Sequence, residues 1–567
     1  MKNKKLLLIP LVIIVVVLLA YFLVRKGAFS SSEGNATRIT ETTKARSERE
    51  ERRKAEYKEF YVPLKPLDNP YIPTRKEVKG LYMKAHVAGS KFRTSQVNAY
   101  ADYVKRLIGE KKGAVDEAIE NETTTVEKML GIIEATEVNG LVIDIKEDGG
   151  YVTWPTDIKG VAEIQGEHPL DFETYQPLLD YCKEKGIYTI ARIVAFKDPY
   201  LAEKFPEHAM QLKTGGLYRD GSGTPWVNPF DHFVWDYVVS IAKEAALRGF
   251  DEINFDYVRF PDNAAVYNEM AEFPGRDDKR KDANIEDFLI YAGKELTPYD
   301  VFLSADVFGI VTQSWDDSDD IGQTWRKISR VVDVICPMIY PSHYGTGWYG
   351  FEVPDQEPYE VTRAALREAI EKNASQEHVP VIRPWIQGFT ATWVQGYKEY
   401  TPEVIADQII AAHELGIEEY LVWNAENVYD PMTFVYQDRI HKVDTDTQDL
   451  LGRTAKEALE MYLTAQKKQK TKEEYLLTPP ALRMSEFEDF DRYVREKTNR
   501  KLFEYAIDEI SERDGGGYEA EVSGLYNSLL GVHEMDHEQF LILKEHGVWK
   551  IYQDFIRFED REVPVGN

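Results

Sequence analysis

Eight short apolar runs occupy the sequence from Lys79 to about Asn427, each closing in glycine or polar residues and each separated from the next by a helix-length amphipathic stretch. Such alternation is the mark of repeated parallel strand–helix units, because a strand covered on both faces reads as a continuous apolar run while its crossover helix keeps one wet face. The runs are KGLYMKAHVA (from Lys79), GLVIDIKEDGG (from Gly140), IYTIARIVAF (from Ile187), FDEINFDYVRFP (from Phe250), VFLSADVFG (from Val301), VDVICPMIYP (from Val332), VPVIRPWIQGF (from Val379) and IEEYLVWNAEN (from Ile417). Eight units in about 350 residues predict an α/β fold, a (β/α)8 TIM barrel over residues 77–435, an architecture of typically about 250 residues that grows by loop insertion. Residues 88–139 and 262–299 are the expected insertions. A doubly wound sheet is the alternative.

At 567 residues the chain exceeds what one core organises, and its flanks read differently from the barrel. Leu6 to Val24 is an unbroken apolar run of the roughly 20 residues that span a bilayer as a helix. Lys2, Lys4 and Lys5 precede it and Arg25 and Lys26 follow, with no small-x-small cleavage pattern beside it, so an uncleaved transmembrane anchor is expected over 6–24. Residues 1–5 are then a cytoplasmic tail, and the body lies outside the membrane as a single-pass extracytoplasmic domain. Residues 25–76, polar and then densely charged, predict a solvated stalk with an extended proline-containing lead-in. After a linker over 436–449, residues 450–567 predict a small α+β domain with helices over 456–469 and 487–514 and two long strands following. Cys182 and Cys336 are the chain's two cysteines, and they predict buried thiols rather than a disulfide framework.

A net charge of -28 repels phosphate backbones and excludes nucleic acid as a natural partner, while suiting a neutral or cationic glycan. In a (β/α)8 barrel the reacting groups come from the C-terminal ends of several strands. Those ends carry Asp144 and Lys146 on the second strand, Arg192 on the third, Asn254, Asp256 and Arg259 on the fourth, and Ser304 with Asp306 on the fifth. Tyr340, Arg383, Trp385, Gln387 and Glu426 come from the last three. Residues two apart share a strand face, so Asn254 with Asp256, and Asp144 with Lys146, can enter the mouth together. Glycosidic cleavage needs one protonated carboxyl group and one ionised one, and Asp256 and Asp306, on adjacent strands, are the expected catalytic pair. Arg259 is the expected partner that holds one of them ionised, and it is expected to bind substrate together with Asp144, Lys146, Arg192, Asn254, Tyr340, Arg383, Trp385, Gln387 and Glu426. His86 stands alone on its run, and no HExxH, CxxC or glycine-rich phosphate loop occurs, so neither a metal nor a cofactor is expected.

Five of these stretches, VKGLYMKAHVAGS, VNGLVIDIKEDGGYVTWP, GFDEINFDYVRFP, ADVFG and RPWIQGF, resemble a bacterial family of glycosyl-hydrolase domains long classed as a domain of unknown function. The resemblance covers about residues 77–435 and implies a barrel of the glycosidase superfamily. FDEINFDYVRFP is also similar to the fourth-strand motif of chitinase-type barrels, whose series ends in a catalytic Glu. Here that position is Val258, which turns the expectation to Asp256. MIYP resembles the Met-x-Tyr of those barrels and implies substrate binding by Tyr340. The final strands resemble nuclear-transport-factor-2-like or cystatin-like domains.

These readings converge on a membrane-anchored hydrolase of O-glycosidic bonds in a cell-surface or cell-wall polysaccharide. The alternatives are a non-catalytic carbohydrate-binding barrel and a membrane scaffold or assembly protein.

Overall fold

The computed structural model of the chain describes residues 43–66, 73–109, 116–165, 174–482, 490, 493, 501–528 and 531–553. The apolar run 6–24 lies outside them, and no described helix is long and apolar enough to cross a membrane.

Eight parallel strands close into a barrel: β1 (Lys79–Met83), β2 (Gly140–Lys146), β3 (Tyr188–Val194), β4 (Glu252–Asp256), β5 (Phe302–Phe308), β6 (Val334–Ile339), β7 (Val381–Ile382 with Trp385–Gln387) and β8 (Tyr420–Trp423). Neighbours in sequence are neighbours in space, and β8 returns to β1 with Tyr420 opposite Lys79. Pro384 falls between the two halves of β7, a position where the ladder cannot use a backbone N–H. β7 still bridges β6 and β8, through Trp385 opposite Met338 and Leu421. Every residue of β2 and β3 is buried, as strands covered on both faces require. Inside the barrel Val142, Ile190, Cys336 and Leu421 belong to one buried cluster with Tyr82, Tyr340 and Trp385.

The described residues of the expected insertions form regular elements. Residues 88–139 carry helices Thr94–Gly109, Glu117–Glu122 and Thr125–Ala135, the last started by a capping box of Thr124 and Glu127. Ala271–Glu272 pairs with Gln211–Leu212 in a two-stranded ladder beside the barrel.

Three sequence expectations are corrected. Thr43–Tyr57, within the expected stalk, is a helix lying on the barrel: Tyr57 donates to Glu295 at 2.8 Å, Arg53 pairs with the same carboxylate at 3.3 Å, and Phe60, Val62 and Leu64 after it join the main core. His86 is not on a strand, because β1 stops at Met83 and Ala85–Ala88 is a helical turn with His86 exposed. Lys501–Glu512, inside the helix expected over 487–514, is a strand.

It opens a four-stranded antiparallel sheet, β9 (Lys501–Glu512), β10 (Tyr518–Ser528), β11 (Gly531–Glu545) and β12 (Val548–Gln553), joined in that order. The helix Ala455–Lys468 covers one face, burying Leu459, Tyr462 and Leu463 in the same cluster as Val522, Phe540 and Ile551. Asp449 and Arg453 fasten this domain to the barrel: Asp449 accepts from Arg453 Nε at 2.8 Å, and Arg453 pairs with Glu371 at 2.7 Å.

Candidate active site

Asp144, Arg192 and Asp256 meet at the mouth because β2, β3 and β4 align them: Asp144 stands opposite Arg192, Arg192 opposite Asn254, and Val194 opposite Asp256. Arg192 donates from NH1 to Asp144 Oδ1 at 2.6 Å and from Nε to Asp256 Oδ2 at 3.0 Å, so one guanidinium bridges two carboxylates. Arg192 Nη2 and the Tyr257 N–H, the latter at 2.6 Å, also donate to Asp256, so three donors hold this side chain in place. Tyr257 itself has a positive φ of 48°, a costly conformation for an aromatic residue, and it turns the chain sharply as it leaves β4. Arg259, the expected partner of Asp256, is not there. It donates to Phe260 O, pairs with Asp262 at 3.1 Å and lies over the Phe308 ring, because the turn at Tyr257 carries it away from the β4 axis.

Asp306 sits one strand further on and is 1% exposed. Its Oδ1 accepts from Asn254 Nδ2 at 2.9 Å and from Trp385 Nε1 at 2.8 Å. Burial pushes the Asp306 carboxyl well above the ordinary carboxylate range, and the neighbouring charge of Asp256 adds to that push. Burial also raises Asp144, against the opposing charge of Arg192. Tyr340, expected to face the mouth, does so: burial raises its hydroxyl, and the charges of Asp306 and Asp256 raise it further. The structure thus brings Asp144, Arg192, Asn254, Asp256, Asp306, Tyr340 and Trp385 together.

Four other expected binders lie elsewhere. Lys146 is fully buried, paired with Asp198 at 3.0 Å and donating to Val194 O at 2.8 Å. The register slips between Asp144 and Lys146, so the simple two-residue alternation fails at that point. Arg383 is equally buried, held at 2.8 Å by Glu252 and at 2.7 Å by Glu419, which stand at the start of β4 and just before β8, at the bottom of the barrel. Gln387 braces loops, donating to Asp355 and Phe389 O and accepting from Ser342. Glu426 stands on the rim, its side chain largely exposed and 4.0 Å from Lys84.

Tyr82, which residue types alone missed, and Glu147 stand beside the group at the mouth. Tyr82 donates to Asp144 Oδ2 at 2.5 Å and stacks on Trp423 at 4.0 Å, forming the wall opposite Asp256. The alternation from Gly80 marks it as inward-facing. Glu147, one residue beyond β2, accepts from Tyr151 OH and is half-buried. Burial raises its carboxyl, with Asp144 and Asp148 adding to the shift. Among the described residues no group of three or more His, Cys, Asp or Glu is arranged to hold a metal ion.

The pattern is one of unequal carboxyl groups: Asp256 bridged to a permanent cation, and Asp306 in a drier place beside it. Such a pair can supply a carboxylate and a proton donor at the same pH.

Among solved structures, the chain is similar to a hypothetical protein from Ruminiclostridium thermocellum, with 33% identity, coverage of 40% of this chain and 97% of that one, and a TM-score of 0.30. It is also similar to the PgaB (BpsB) glycoside hydrolase domain from Bordetella bronchiseptica, with 14% identity, coverage of 63% and 95%, and a TM-score of 0.40. A third is the spore cortex-lytic enzyme SleL from Bacillus megaterium, with 12% identity, coverage of 65% and 76%, and a TM-score of 0.35. No curated protein matches. Residues 115–429, more than half of the chain, match the family described as "Putative glycosyl hydrolase domain", and the chain belongs to that family.

Proposed function

We propose that this chain hydrolyses O-glycosidic bonds of a cell-surface or cell-wall polysaccharide, with Asp256 and Asp306 as its working carboxyl groups. The observation that carries the proposal is the asymmetry of the pair, Arg192 donating to Asp256 while Asp306 is buried at its side. In this reading Asp306 gives its proton to the leaving glycosidic oxygen, and Asp256 acts as nucleophile or activates water. Asp144, Tyr82 and Tyr340 bind sugar hydroxyls around them. Release of new reducing ends from cell-wall and exopolysaccharide fractions tests the reaction; Asp306→Asn, which still accepts from Asn254 and Trp385, tests the acid.

A carbohydrate-binding barrel without catalysis has one observation on its side: Asp306 is 1% exposed and Oδ1 is already doubly bonded. Glycan retention without any new reducing ends would favour it.

The apolar run 6–24 supports a single-pass anchor with the barrel on the extracytoplasmic face. Alkaline extraction of membranes and protease accessibility on intact cells test this: an anchored outer barrel stays with the membrane and is cut from outside.

A further inference from the structure

Two series of aromatic rings leave the buried carboxyl groups and run outward over opposite sides of the mouth. On the β7 side, Tyr340 meets Phe389 edge-on with ring centroids 6.0 Å apart, and Phe389 stacks on Trp393 at 5.9 Å and 23°. Trp393 is 68% exposed. On the other side Glu147 accepts from Tyr151, and the Tyr151 ring meets Tyr200, which is 42% exposed, at 6.2 Å. Trp393 follows β7 and Tyr200 follows β3, four strands apart in a ring of eight, so the two exposed rings belong to opposite sides of the mouth.

Exposed rings of this size lose the hydrophobic gain of burial, yet both are rigidly seated. The loop bearing Trp393 is tied to the fully buried Asp355, whose carboxylate accepts from Gln387 Nε2 at 3.2 Å and Lys398 N–H at 3.1 Å and whose carbonyl accepts from Tyr400 OH. Tyr200 sits in the helix Pro199–Lys204, which Asp198 caps by accepting from Leu201 N–H at 2.9 Å while pairing with Lys146. This explains the buried Lys146: it secures a rim element. Rings held this way lose little freedom on binding a flat partner.

The partner must combine apolar faces with hydroxyl-lined edges, since each ring series continues inward to hydrogen-bonding groups at Tyr340, Asp306, Tyr151 and Glu147. A pyranose has that character, its axial C–H face packing on a ring while its equatorial hydroxyls reach acceptors. We propose that Trp393 and Tyr200 are sugar-stacking platforms at the two ends of a cleft that holds an extended polysaccharide across the mouth, so that cleavage falls within the chain and not at its end. This rests on the glycosidase reading above for the cleavage, but not for the binding.

The test uses the full-length chain in native gels cast with laminarin, xylan or glycol chitin, all of low charge. At least one polymer should retard the wild type. Trp393→Ala and Tyr200→Ala should each weaken that retardation at least about fivefold, and Trp393→Phe should restore it. Retardation by none of the polymers, or alanine variants indistinguishable from wild type, overturns the platforms. Reducing ends counted with the same polymer score the glycosidase reading separately: binding through both rings with no new ends would sink that reading and leave the platforms standing. With cleavage present, a viscosity that falls well before reducing ends accumulate supports internal cuts, and end-wise release of small sugars overturns them.

Discussion

Arg192 Nε lies 3.0 Å from Asp256 Oδ2, and the other side of the same guanidinium holds Asp144 at 2.6 Å. One buried cation therefore sets the electrostatics of two mouth carboxyl groups, and a point charge in its place could not span both. Arg192→Lys keeps the charge and loses the fork. It should stay folded and lose at least about tenfold in turnover. Arg192→Met leaves two buried carboxylates facing each other and should cost about 3–5 kcal/mol of stability. Urea unfolding beside a turnover assay separates these effects, and an Arg192→Lys enzyme of wild-type activity would contradict the bridge's role.

The two buried pairs away from the mouth should behave differently. Lys146 with Asp198, and Arg383 with Glu252 and Glu419, are sealed from water and touch none of the proposed reacting groups. Arg383→Met should cost about 3–5 kcal/mol by taking the cation from the buried Glu252, which keeps only the Tyr188 hydroxyl, while Glu419 keeps Arg75. The folded fraction should nevertheless turn over within about threefold of wild type. A large fall in turnover with unchanged stability would return Arg383 to the substrate-binding set.

One helix turn should contribute a minimum near neutral pH to the dependence of stability on pH. Burial pushes the Glu368 carboxyl from 4.5 up to about 7, and burial pushes Lys372, four residues on, from 10.5 down to about 7. Between about pH 4.5 and 7 the folded chain keeps a proton on Glu368 that the unfolded chain has lost, so stability falls as pH rises. Between about pH 7 and 10.5 the unfolded chain keeps a proton on Lys372 that the folded one has lost, so stability rises with pH. Glu368→Gln should flatten the acid side of the curve of Tm against pH while sparing the alkaline side. An unchanged acid slope would refute this assignment.

Much of the barrel was legible because buried parallel strands leave apolar runs, and Asp256 and Asp306 were legible because charges inside such runs need employment or partners. Depth was not. Arg383 and Trp385 are two apart on β7, yet one closes the bottom and the other reaches Asp306, and composition marks neither level. A register slip hid the direction of Lys146. Two further slips, between Leu502 and Glu504 and between Ile507 and Glu509, break the alternation of β9 and let its glutamate-rich sequence pass for a helix. The helix Thr43–Tyr57 binds the barrel through polar groups, Arg53 and Tyr57 to Glu295, and Glu50 accepts from Leu64 N–H in the segment that follows it, contacts that hydrophobic periodicity does not register. A soluble form must keep that helix, so truncation belongs before Thr43.

The most direct measurement counts new reducing ends from purified cell-wall and exopolysaccharide fractions, with the wild-type chain set beside Asp256→Asn and Asp306→Asn, all shown to be folded by circular dichroism. The account predicts release by wild type and a fall of at least about a hundredfold in each variant, with the Asp256 variant still retaining glycan. Release undiminished in either variant, or no release by the wild type from any fraction, would contradict the paired-carboxyl mechanism at its base.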